Sequence, residues 1–64
     1  MFEKEAFEVI KKVQPSAIGV IQKLLKLGQT PSQIANKYRT RDVSFAALME
    51  LAATYMLERE EYQA

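Results

Sequence analysis

Residues 43–60 read VSFAALMELAATYMLERE, and between Val43 and Leu57 only Ser44, Glu50 and Thr54 are polar, Tyr55 being amphipathic. A helix that is apolar almost all round has to be covered on nearly all sides. The fold is therefore one that gathers its other elements around this stretch. Asp42 or Ser44 is placed to cap the start of the helix, since a short polar side chain accepts from the orphan N–H groups there.

Three shorter helical stretches precede it. Thr30-Pro31 is a start signal, because threonine caps and proline at the first helical position loses no hydrogen bond. It opens a short helix over 31–38 with Ile34, Ala35 and Tyr38 turned inward. Gly28 is placed to stop the stretch before it, over 15–27, where Ile18, Ile21 and Leu25 share one face and Val20, Leu24 and Leu27 broaden it. Pro15 separates that stretch from the first one, over 2–13. There Phe2, Ala6, Val9, Ile10 and Val13 recur at helical spacing and are expected to face the core. The expected fold class is all-α, one domain over 1–64, a compact bundle of four short helices with the fourth at its centre.

Composition agrees and narrows the function. The chain has 64 residues, 48% apolar and 27% charged, which is ordinary globular usage. At 7.3 kDa the folded surface should be roughly 4,200 Å², with roughly 60% of the unfolded chain's surface buried. There is no cysteine and no histidine. No disulfide, thiolate zinc site or thiol nucleophile is possible, and the usual general base and commonest metal ligand are absent. Ser32 and Ser44 have no histidine to activate them and suit first-turn or capping chemistry. The carboxylates Glu3, Glu5, Glu8, Glu58, Glu60 and Glu61 gather near helix ends, where solvated charge explains them. Gly19 and Gly28 stand alone, so no phosphate loop exists. The expectation is a protein that is not an enzyme, with no cofactor, metal or small-molecule substrate. No apolar stretch approaches the roughly 20 residues of a membrane span, and the acidic start MFEKEAFEVIKK suits neither a signal nor a transit peptide. A cytoplasmic protein is expected.

Charge is laid out in blocks. Net charge is +1, yet between residues 9 and 41 lie Lys11, Lys12, Lys23, Lys26, Lys37, Arg39 and Arg41 with no acidic residue. Glu3, Glu5 and Glu8 precede this block, and Asp42, Glu50, Glu58, Glu60 and Glu61 follow it. Either the basic middle pairs with the acidic ends, within one chain or between two, or it meets an anionic partner.

Two functional classes follow. On the fourth helix Met49 and Met56 line up with Phe45, Ala52 and Ala53. Together with Tyr55 they form a candidate protein interface: Phe45, Met49, Ala52, Tyr55 and Met56. Thioethers repack easily and small residues let a second helix approach closely. Three short helices are expected to leave part of the fourth uncovered, so a homodimer seam or another protein partner is expected there. The other class is nucleic-acid binding. Residues 17–41, AIGVIQKLLKLGQTPSQIANKYRTR, resemble a helix-turn-helix, with Leu27, Gly28 and Ile34 at the apolar, turn-glycine and second-helix core positions. Lys23 and Lys37 stand where that motif carries apolar residues. The resemblance implies that Ser32, Gln33, Asn36 and Lys37 point outward toward base edges, with Lys23, Lys26, Arg39 and Arg41 available to phosphates. Within it, LLKLGQTPSQIA is similar to the phrase LLxxGxSxxxIA of resolvase-like trihelical domains. That framing makes the fourth helix the reading helix, and the apolar VSFAALMELAA is unsuited to base edges. Leu27-Gly28-Gln29 also resembles the Met-Gly-Phe loop of ubiquitin-associated-type three-helix modules, with Gln29 in place of the aromatic residue.

Overall fold

The computed structural model describes residues 2–62 and has four helices: α1 (Glu3–Val13), α2 (Ser16–Lys26), α3 (Pro31–Asn36) and α4 (Val43–Glu58). Its accessible surface, 4245 Å², is what a chain of this mass exposes when folded into one body. All described secondary structure is helical, and α4 is the element on which α1, α3 and α2 all pack. The first helix docks on its own bundle.

Each helix boundary has a local cause. Gln14 leaves helical geometry (φ −149°, ψ 73°) immediately before Pro15, as the ring of a following proline demands. At the end of α2, Gly28 takes φ +90°. Its N–H donates to the Leu25 carbonyl at 3.0 Å and that of Gln29 to the Leu24 carbonyl at 3.1 Å. This paired closure needs a left-handed residue, which glycine supplies without steric cost. Thr30 and Gln33 then cap α3 reciprocally: the Gln33 N–H donates to Thr30 Oγ1 at 3.1 Å, and the Thr30 N–H donates to Gln33 Oε1 at 2.8 Å. Asp42 is the cap of α4, its Oδ1 accepting from the Phe45 N–H at 3.0 Å. The third helix ends at Asn36 rather than at Tyr38. From there the chain continues through tight turns, with the Asp42 and Arg41 N–H groups both donating to the Tyr38 carbonyl.

The core corrects one expectation about α4. Ala46, Met49, Ala52, Ala53 and Met56 are fully buried, the last four in one cluster with Ile10, Ala17, Ile21, Leu25 and Ile34. The small alanines do admit close neighbours, but these are the chain's own helices. The most exposed large apolar side chains of α4 are Val43 and Leu57, at its two ends, while Phe45, Leu48, Leu51 and Tyr55 between them are half-buried. Thr54, on the outer side, donates its hydroxyl proton to the Glu50 carbonyl at 2.8 Å, which satisfies it within the helix.

Candidate interaction surfaces

The candidate protein interface on α4 lies inside the monomer. Met49, Ala52 and Met56 have no exposed surface. Phe45 and Tyr55 are half-buried and spent on internal contacts. Phe45 stands edge-on to Tyr38, with ring centroids 5.3 Å apart and planes at 79°. Tyr55 packs on Phe7 at 5.0 Å, and the Arg59 guanidinium lies over its ring at 5.2 Å. These residues form the seam between α4 and its own neighbours. Met49, Ala52 and Met56 cannot also meet a partner without unfolding the bundle, and Phe45 and Tyr55 offer only what their internal contacts leave uncovered. The expectation failed because three short helices, reinforced by Tyr38 and Tyr62 from outside the helices, cover more of α4 than their lengths suggest.

The apolar side chains that do reach solvent lie on other faces. Of the five residues expected on the inner face of α1, only Ala6 and Ile10 are buried, while Phe2 is 80%, Val9 36% and Val13 68% exposed. Docking on α4 has rotated α1 toward Phe7, which packs against the core, and has left the Val9–Val13 flank outside. On α2, Ala17, Ile21 and Leu25 are buried, but Val20 (41%) and Leu27 (69%) are not. A signal for α1 was present in the sequence. Val9 has Glu5 and Lys12 as its i−4 and i+3 neighbours, so one flank of it on the helix is polar.

The basic candidates divide into two groups. Gln33 spends its side-chain oxygen on the α3 cap. Asn36 Oδ1 accepts from Arg39 Nε at 2.6 Å, and Arg39 Nη2 donates to Glu50 Oε1 at 2.6 Å. Arg39 thus braces the turn after α3 against α4, both charges being about two-fifths exposed. This strut was invisible in the sequence, since nothing local relates positions 39 and 50. Lys23, Lys26, Ser32, Lys37 and Arg41 are exposed. Among the described residues, none of these four cations has a carboxylate within ion-pairing distance. Of the block of seven cations, Arg39 alone meets a carboxylate there. Lys11 instead places its ammonium 5.5 Å from the Phe7 ring centroid. The Gly28 turn and α3 put Ser32 and Lys37 on the outside, but α3 is only 6 residues long.

The described residues enclose no pocket and bring together no group of three carboxylates able to hold a metal ion. No helix among them is long and apolar enough to cross a membrane. The chain matches no known protein family, no curated protein and no solved structure.

Proposed function

We propose that this chain is a small non-enzymatic regulatory or adaptor module that acts by protein–protein contact, its first partner being a second copy of itself. The observation that carries this reading is the apolar side chains left outside a complete core, among them Phe2, Val13, Leu27 and Val43. Covering what remains exposed of one such side chain contributes up to about 1–2 kcal/mol. Their placement at helical spacing, Val9 with Val13 and Val20 with Leu27, makes stripes rather than scattered points. Sedimentation equilibrium tests the reading: a species of twice 7.3 kDa should appear as concentration rises. A single monomeric species at every concentration would sink it.

A second reading, nucleic-acid binding, is favoured by one specific observation. Lys23, Lys26, Lys37 and Arg41 are exposed and without internal anionic partners among the described residues. Four phosphate contacts give a slope of about −3 to −4 for log affinity against log salt. Anisotropy of a labelled random-sequence duplex, titrated at several salt concentrations, measures it. A flat salt response, or no binding at low salt, removes this reading.

A further inference from the structure

We propose that α1 is the self-association surface, pairing antiparallel with α1 of a second copy across a two-fold axis close to Val9. This rests on the self-association reading above and assigns it a place. At 3.6 residues per turn, Val9 and Val13 project within about 40° of one another, and Phe2 prolongs the line at the helix start. All three are exposed. The stripe is bordered on its solvent side by Glu5 and Lys12, also exposed.

Charge then selects the occupant and its direction. The first turn of α1 holds Glu3 and Glu5 and its last turn Lys11 and Lys12. A two-fold contact uses the same patch on both copies, and with the axis crossing α1 it sets the helix antiparallel to itself. Glu5 and Lys12 lie four and three residues from Val9, so each copy's Glu5 comes to face the other's Lys12 while the valines meet at the axis. The helix dipoles oppose favourably in the same arrangement. A parallel pairing would set glutamate against glutamate and lysine against lysine. The other apolar stripe fails this criterion. Val20 and Leu27 are flanked by Lys23 and Lys26, and α2 has no acidic residue, so bringing it against itself would oppose lysines.

The contact is a small one. An 11-residue helix is roughly 16 Å long, and one helix face buries less than the about 800 Å² per partner of a standard interface. A dissociation constant in the range of about 10–100 μM is expected.

The test is sedimentation equilibrium of the whole chain and its variants up to about 1 mM, well above that constant. Val9 and Val13 are exposed, so Val9→Glu and Val13→Glu keep the fold, which circular dichroism checks. Each should raise the dissociation constant at least about tenfold. Lys12→Glu should weaken the dimer about three- to tenfold, and adding Glu5→Lys should recover most of that loss, with α1 helicity followed in parallel because Glu5 Oε1 also accepts from the Phe2 N–H at 3.2 Å. The chain has no cysteine, so Val9→Cys supplies an independent readout: under oxidation it should give a covalent dimer much faster than Leu27→Cys. A dimer that survives Val13→Glu but is lost in Leu27→Glu overturns the α1 assignment while leaving self-association intact. A wild-type chain that stays monomeric removes both.

Discussion

Helix α4 and helix α1 differ in composition and then differ again, in the opposite sense, in what they expose. Among its 16 residues α4 has only Ser44, Glu50, Thr54 and Glu58 as clearly polar positions. By contrast, α1 has six charges, Glu3, Lys4, Glu5, Glu8, Lys11 and Lys12, among its 11 residues. Yet α1 leaves Val9 and Val13 exposed along its length, while on α4 only Val43 and Leu57, at its ends, are exposed and the large apolar side chains between them are half-buried or buried. The reason lies in the number of neighbours. All three other helices pack on α4, whereas α1 meets only α4 and α2 and so keeps one flank free. An apolar helix in a small bundle thus need not be the docking helix; the place to look is the side where the packing of a more polar helix stops.

The comparison breaks most visibly if Met49→Ala and Val13→Ala cost the same. Met49 is fully buried at the centre of the core, so its truncation should cost about 2–5 kcal/mol, including the cavity left behind. Val13→Ala should stay within about 0.5 kcal/mol, as surface changes do. Urea denaturation of the two variants at submicromolar concentration, well below the dimer's dissociation constant, decides it.

Two alanines sharpen the same contrast within α4. Ala53 is fully buried, whereas Ala47 faces solvent. Overpacking by Ala53→Leu should destabilise by about 1–3 kcal/mol. Ala47→Leu should leave the melting temperature nearly unchanged. Similar thermal midpoints for the two would mean that α4 is more loosely covered than described.

The two helix C-termini offer a smaller effect of opposite sign. The end of α4 repeats the closure seen at Gly28: the Glu60 N–H donates to the Leu57 carbonyl at 3.2 Å and that of Glu61 to the Met56 carbonyl at 2.9 Å. Here the left-handed position is held by Glu60, at φ 57°, where a side chain costs about 1–2 kcal/mol. Glu60→Gly should therefore raise stability by up to about 1 kcal/mol, or about 4–8 °C in melting temperature. An unchanged melt would show that this end frays.

The smallest expected change is at Gly19, in the exposed middle of α2. A Cβ built there meets nothing within 4 Å, and glycine in a helix interior costs about 0.5–1 kcal/mol relative to alanine. Gly19→Ala should be more stable by that amount in thermal denaturation. A loss instead would mean that α2 is not a regular helix at that point.

Much of the fold was legible because helix boundaries are local events. Pro15, Gly28, Thr30-Pro31 and Asp42 act through their own rings, dihedrals and side-chain oxygens within a few residues, and each stands where it was expected to act. The end of α4 had no comparable sign, since a glutamate in left-handed geometry is chosen by the bonds it completes rather than by its own preference. The candidate interface was less legible. Phe45, Met49, Ala52, Tyr55 and Met56 share the residue types of a docking stripe and of a core, and composition cannot separate the two. Likewise, the run of cations from Lys11 to Arg41 does not say that Arg39 alone meets Glu50.

Chain chemistry thus set the number of helices, their order, all their starts and the ends of the first two, together with the exclusions that follow from having neither cysteine nor histidine. Periodicity around one helix specifies a face to within a broad arc. Burial is settled only when neighbouring helices dock, and each takes a narrower sector than the pattern offers. The packing around α4 therefore decided that its apolar stripe is core, that Val9 and Val13 remain outside, and that Arg39 is a strut rather than a free cation.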